Sequence, residues 1–330
     1  MSLGLQEPSS IPAEQGTVVL LPSRLRAHMR LMRLDHCIKQ AFILPGIVLA
    51  IAITGRHLDL LLTLTIGIGM VAATLISSSN YVINEILDAP FDRAHPIKKG
   101  RPAACGLIYP IWGYVQWIAV MLAGVALGRT ISTGFVISAG ALWLMGCVYN
   151  IPPLRSKDLP YIDVLSESIN NPIRFCLGWY MVTSTLLPPL SLLIAYWMLG
   201  SYFMGLKRFS EYRQINDLAV AGKYRNSFRF YTQQSLLTSV MFYAAAAMLF
   251  FGAFIMRYRI ELILSFPVIA WLMAIYFDLS FHFESSVQNP EKLYKEPLLM
   301  VVLALCIAVF VSLLFVDIPW LTTVFPKSHL

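Results

Sequence analysis

The chain has 330 residues, of which 57% are hydrophobic and 13% charged, with a formal net charge of +7. Soluble domains carry about 25% charged residues, and a mean hydropathy of +0.66 excludes an ordinary water-soluble enzyme; no nucleic acid is expected among the partners. The five cysteines (Cys37, Cys105, Cys147, Cys176, Cys306) are scattered with no C-x-x-C pair, which excludes a disulfide framework and a thiolate metal site.

Up to Ser23 the chain is polar, with Pro8, Pro12 and Pro22. It lacks the pattern of a cleaved signal peptide, so residues 1–23 are expected to form a flexible tail and 24–330 a single transmembrane domain. From Arg24 to Lys39, Arg24, Arg26, Arg30 and Arg33 alternate with Leu25, Met29, Leu31, Met32 and Leu34. That fits a basic amphipathic helix on the bilayer surface, and equally the positive flank of a first span. A span needs roughly 17–25 apolar residues. Runs of that order occur near 40–55, 60–84, 107–128, 132–149, 161–182, 187–206, 236–256, 260–281 and 298–317. The reading is an all-α polytopic membrane protein.

Most of the 25 lysines and arginines fall on one side of these spans, in the segments around Arg24–Lys39, Arg93–Arg101, Arg155–Lys157, Lys207–Arg229 and Lys292–Lys295. The rich side is therefore expected to be cytoplasmic, with the N-terminus inside.

The second run ends in the densest polar stretch of the chain, Asn80 to Gly106. Asn80, Asn84, Asp88 and Asp92 recur every four residues and share a helix face. Pro90 is expected to bend or end that helix. Oxygen ligands of this kind suit magnesium, which keeps several waters and binds substrate phosphates; a solvated helix end is the plainer reading. Lys98, Lys99 and Arg101 follow.

In the fifth run, Glu167 and Asn171 are four apart, as are Asn170 and Arg174. Polar groups inside a span face the bundle interior, and a Glu167–Arg174 pair is a structural alternative. After the sixth run, Lys207 and Arg208 stand four and three residues before Glu211. They form either an ion pair along the helix or a cationic patch for phosphate. Asp278, His282 and Glu284 close the eighth run, where His282 reads as a helix-end residue.

The run Asn84-Glu85-Ile86-Leu87-Asp88-Ala89-Pro90-Phe91-Asp92 resembles the first aspartate-rich motif, N-[DE]-x-x-D-x-x-x-D, of the UbiA superfamily of membrane prenyltransferases. Its continuation, Arg93-Ala94-His95-Pro96-Ile97-Lys98-Lys99-Gly100-Arg101-Pro102, is similar to the D-x-x-H-P-x-K-x-x-R-P run of the decaprenyl-phosphate phosphoribosyltransferase branch. Arg33 to Lys39 is similar to that branch's R…K entry segment. Gly205-Leu206-Lys207-Arg208-Phe209-Ser210-Glu211 resembles its G-K-R-x-x-E with Leu206 inserted. Asn289 to Pro297 is similar to a P-E loop of the same branch. The second D-x-x-x-D of most aromatic prenyltransferases is replaced by Glu211 and Asp217 at another spacing. Tyr149-Asn150-Ile151-Pro152-Pro153-Leu154-Arg155-Ser156-Lys157 resembles the superfamily's Y-[SN]-x-P-P-x-[RK]-x-K loop, in a form closer to the aromatic-acceptor branches.

The resemblance implies nine transmembrane helices around a central cavity, with Asn84, Asp88 and Asp92 as catalytic ligands of Mg2+. It implies Lys39, Asn80, Lys98, Arg101, Tyr149, Lys157, Lys207, Arg208 and Glu211 as substrate-binding residues. The implied reaction transfers 5-phosphoribose from phosphoribosyl diphosphate to a polyprenyl phosphate. It would supply lipid-linked arabinose or ribose for glycans or for decorating a nodulation factor. The alternative is prenyl transfer from a polyprenyl diphosphate to an aromatic or lipid acceptor. A transporter of a sugar lipid is a third reading, weakened because the polar groups gather at one face. The expected place is a bacterial inner membrane with the site cytoplasmic; a homo-oligomer is compatible with this.

Overall fold

The computed structural model describes residues 21–93, 98–215, 222 and 224–325. Residues 1–20, which hold most of the expected tail, lie outside the described residues, as do His95, Pro96, Asp217 and Lys223. Among the described residues there are helices and no strands.

Helix α1 (Leu21–Leu31) begins inside the expected tail, and a 3-10 segment (Leu34–Ile43) leads into α2 (Leu44–Thr54). Then come α3 (Leu60–Asp92), α4 (Pro110–Gly128), α5 (Thr133–Asn150), α6 (Ile162–Ser168), α7 (Asn170–Val182) and α8 (Leu190–Ile215). The chain closes with α9 (Gln233–Tyr258), α10 (Phe266–Leu279), α11 (Pro297–Phe315) and α12 (Pro319–Val324).

Among the described residues seven helical segments are long and apolar enough to cross a bilayer, against nine expected spans. Two expected spans differ for local reasons. The first is the short apolar segment Lys39–Thr54, which is part 3-10 and part α2. The fifth divides at Ile169 into α6 and α7. Pro172 lacks the N–H that would reach the Ser168 carbonyl; the Ser168 hydroxyl separately donates to the Val164 carbonyl at 2.7 Å.

Helix α3 has 33 residues, about 50 Å at the α-helical rise, against a hydrocarbon core of about 30 Å. Its last turns therefore stand clear of the apolar layer. The Asp59 side chain starts it by accepting the Leu62 N–H at 2.7 Å. Pro90 does not end the helix, which continues to Asp92. So late in the helix the proline forfeits a single hydrogen bond, and Arg93 N–H still reaches the Ala89 carbonyl at 3.2 Å.

Helix α7 is central, touching α2, α3, α5, α8 and the 3-10 segment. It packs Phe175, Leu177 and Trp179 against Ile47 and Ala50 of α2 and Leu142 of α5. The crossing with α2 depends on two glycines. A Cβ on Gly46 would sit 2.0 Å from the Phe175 carbonyl oxygen, and one on Gly178 would sit 2.2 Å from that of Ile43. Helix α1 lies along the end of the bundle, with Ala27 and Leu31 packed on Val82, Ala89 and Ile108. His28 and Gln116 are hydrogen-bonded at 2.8 Å. Large side chains such as Leu61, Trp112, Leu144, Phe242 and Leu249 are exposed on the outside, the surface a bilayer covers.

Candidate functional site

Two groups of charged residues meet at the end of the bundle where α3 emerges. The first is built on the face of α3 that carries Asn84 and Asp88. Asn84 donates through Nδ2 to Asp88 Oδ2 at 3.3 Å and to Asn150 Oδ1 at the end of α5. Lys157 donates to Asp88 Oδ1 at 2.6 Å and to Asn150 Oδ1 at 3.0 Å. Arg155 reaches the same Asp88 oxygen at 3.1 Å and holds Asp158 at 2.9 Å. The loop delivering both cations turns sharply, with Arg155 at φ +25° and Tyr161 at φ +64°. Such backbone is costly for residues with a Cβ, and here it aims two cations at one carboxylate. Burial pushes the Lys157 ammonium below its ordinary 10.5, and Asp88 pulls partly against that.

Asp92, one turn beyond Asp88, is buried and bonded to Arg101 at 2.6 Å. The loop carrying Arg101 is pinned to α3 by Glu85, which accepts the Ala103 N–H at 3.3 Å. Burial, helped by Arg101, also pushes Lys98 below 10.5, while Asp92 opposes it. Lys98 lies over the Tyr224 ring at 5.7 Å and senses Asp92 on one side and Glu211 on the other. It thus stands between the two groups.

The second group is centred on Arg208 of α8, whose side chain is 3% exposed. Its guanidinium meets Glu167 at 2.6 Å, Glu211 at 3.1 Å and Asp163 at 3.3 Å. Asp163 is fully buried. It also takes Arg225 at 3.1 Å, the Ser227 hydroxyl at 3.1 Å and the Tyr231 hydroxyl at 2.6 Å. Tyr149 donates to Glu167 at 2.9 Å, and its ring lies 5.9 Å from Lys157 Nζ, which joins the groups. Burial and Arg208 work against the charge of Arg225, yet Tyr149, Asp163 and Glu211 outweigh both and raise its pKa.

The expected residues therefore divide. Asn84, Asp88 and Lys157 converge; Asp92 and Arg101 pair beside them; Tyr149, Arg208 and Glu211 belong to the second group. The charges of Lys207 and Lys39 act on Glu167, and Lys39 lies over the Tyr81 ring at 5.7 Å. Asn80 is turned away from the rest. It donates to the Leu142 carbonyl of α5 at 2.8 Å, in a notch where a Cβ on Gly146 would lie 2.2 Å from it. Glu167 pairs with Arg208 and Tyr149, not with Arg174. Sequence reasoning did not single out Asn150 and Arg155 as site residues, although both lie in the Tyr149–Lys157 motif. It also missed Arg225, Ser227 and Tyr231, which nothing near Asp163 in the chain announces.

Among the described residues no three His, Cys, Asp or Glu side chains group to hold a metal ion by themselves. The oxygens of Asp88 and Asn150 nevertheless gather, bridged by the Asn84 amide nitrogen, and an ammonium already sits against both. That set suits one hard divalent cation whose remaining ligands are waters or phosphate oxygens.

Known proteins share this arrangement of helices. A model of the UbiA prenyltransferase family matches residues 42–302. Over 188 residues the chain is 29% identical to a decaprenyl-phosphate phosphoribosyltransferase of Mycolicibacterium smegmatis; the match covers 56% of this chain and 55% of that one. The chain thus spans about half the length of that relative. A UbiA homologue from Archaeoglobus fulgidus, solved with GPP and Mg2+, superposes with a TM-score of 0.63 at 19% identity, over 88% of this chain and 100% of that one. A digeranylgeranylglyceryl phosphate synthase structure gives a TM-score of 0.60 at 15% identity, over 88% and 99%.

Proposed function

The chain belongs to the UbiA prenyltransferase family, and on that premise we propose that it transfers 5-phosphoribose from phosphoribosyl diphosphate to a polyprenyl phosphate in the membrane. One observation carries this reading. In the second group Asp163, Glu167 and Glu211 are all tied to the buried Arg208, with Arg225 also on Asp163, so the group does not present a second open carboxylate site for metal. The phosphoribosyltransferase of M. smegmatis is the relative that points the same way.

In the reaction the bond from ribose C1 to the diphosphate oxygen breaks, and pyrophosphate leaves with the electron pair. A lipid phosphate oxygen then bonds C1. The nucleophile is already anionic, so no general base is needed. Asn84 and Asp88, with Asn150 and the nearby Asp92, would hold Mg2+; its charge would stabilise the departing pyrophosphate. Lys157 and Arg155, now on Asp88, would turn to phosphate oxygens when the diphosphate arrives. Lys98 and Arg101 approach from the α3 loop, and Lys207 from α8, while Arg208 keeps Glu167 and Tyr149 in place. Preorganised cations of this kind stabilise charge as it develops. The site would face the cytoplasm of a bacterial inner membrane, and the product would supply lipid-linked arabinose or ribose.

The second reading is prenyl transfer from a polyprenyl diphosphate. Tyr149 favours it, because its ring borders both groups and could shield a carbocation. Membranes given labelled phosphoribosyl diphosphate and polyprenyl phosphate separate the two. Magnesium-dependent labelled lipid supports the first. Label appearing in lipid only from a prenyl diphosphate and an aromatic acceptor supports the second.

A further inference from the structure

Helix α7 carries an arginine inside the apolar core. Arg174 is 8% exposed, next to the core residue Phe175. Its Nε is buried with no hydrogen-bond partner. Among the described residues no carboxylate pairs with it. Its electrostatic neighbours are Tyr81 of α3 and Tyr196 of α8. Interiors of membrane proteins pair their cations, and a buried charge without a counterion is costly. The arginine fork is the side chain suited to phosphate oxygens.

More positive charge surrounds the same spot. Lys39 and Arg33 both stand over the Tyr81 ring at 5.7 Å. Tyr196 donates to the Phe42 carbonyl at 3.5 Å, tying the 3-10 segment that carries Lys39 to α8; the same segment packs on α7. Tyr81 precedes Asp88 by two helical turns, about 10 Å along α3 toward the bilayer. The spot is therefore set apart from the diphosphate group, yet Lys39 is near enough to act on Glu167 and Lys207.

We infer that Arg174, with Lys39 and Arg33 around Tyr81, forms a second anion subsite that takes a phosphate monoester. Its position toward the bilayer assigns it to the headgroup of the lipid acceptor. This rests on the reading above for its place in the reaction, but not for its chemistry. A ribose 5-phosphate group has the same chemistry, and the test distinguishes the two sources.

The full chain in detergent micelles is melted with farnesyl phosphate, with ribose 5-phosphate and with farnesol. Farnesyl phosphate should stabilise the wild type and farnesol should not. In R174M and R174K its affinity should fall about tenfold or more, the worth of charged hydrogen bonds. R174M without ligand should melt no lower than wild type, because it removes an unpaired charge from an apolar setting. Arg174-dependent stabilisation by ribose 5-phosphate alone keeps the subsite and reassigns it to the donor. Equal affinity for farnesyl phosphate in wild type and R174K, or stabilisation of neither by any phosphate, overturns the subsite; R174K decides this even if R174M does not fold. If phosphoribosyl transfer is absent while Arg174-dependent binding persists, the proposed reaction falls and the subsite stands. Transfer with an unchanged acceptor KM in R174K removes the subsite alone.

Discussion

Lys157 places its ammonium 2.6 Å from Asp88 Oδ1, although the two come from different loops and helices of the bundle. Asp88 is thereby held by protein cations on one oxygen and by Asn84 on the other. The pair lies at the centre of the candidate site, and most of the expected outcomes follow from it.

Asp88→Asn keeps the shape and removes the charge. It should lower transfer by about 10²–10³-fold, the usual cost of losing one electrostatic contact to the developing charge. The labelled-lipid assay reads this, with melting to confirm the fold. Turnover within a few-fold of wild type would remove Asp88 from the metal site.

Chelation of divalent cations should stop turnover and leave the melting temperature nearly unchanged. Asp88 and Asp92 already have protein partners in Lys157, Arg155 and Arg101, so the fold does not need a metal to neutralise them. Added Mg2+ should restore the rate. A large drop in melting temperature under chelation would mean that the ion is structural.

Arg208→Met leaves Asp163, Glu167 and Glu211 short of a buried counterion. Breaking such a network costs about 3–5 kcal/mol, and Lys cannot replace the fork that reaches three carboxylates. Both variants should unfold earlier in detergent. A melting curve for Arg208→Met that matches wild type would contradict this account.

Lys157 and Lys98 both lie below the ordinary 10.5 in the folded chain. As pH rises through those lowered values the cations are lost, so transfer should fall before pH 10.5. Stability moves the other way: between the folded and unfolded pKa values the unfolded chain binds more protons, and stability rises with pH. K157R, which does not titrate, should move the alkaline limb of the rate upward. An unmoved limb would show that Lys157 does not set it.

Gly178→Ala should cost about 1–3 kcal/mol, because the added Cβ would meet the Ile43 carbonyl at 2.2 Å and backbone cannot move aside cheaply. Gly67→Ala, with nothing within 4 Å, should be neutral or gain up to about 1 kcal/mol. Equal melting of the two variants would refute the close α2–α7 crossing.

Much of the candidate site's geometry was legible because helix spacing is local. Asn84 and Asp88 share a face by arithmetic, and the Tyr149–Lys157 motif carried Asn150, Arg155 and Lys157 together. The loop after α8 was harder. Arg225, Ser227 and Tyr231 owe their roles to Asp163, which lies far away in the chain. Pro90 does not end α3, since its position in the last turn makes it cheap to tolerate. Asn80 is in step with Asn84 and Asp88, but Gly146 opens a notch that draws it onto α5.

The order of residues alone determined the membrane class, the apolar segments and the carboxylates spaced along the end of α3, because hydropathy and helical period act over short stretches. Only the tertiary structure decided which cation neutralises which carboxylate. It placed Lys157 on Asp88 and Arg208 among three acids, and among the described residues it left Arg174 without an acid. Ion pairing depends on which helix ends meet in space, and the 3.6-residue period of a single helix carries no record of its neighbours.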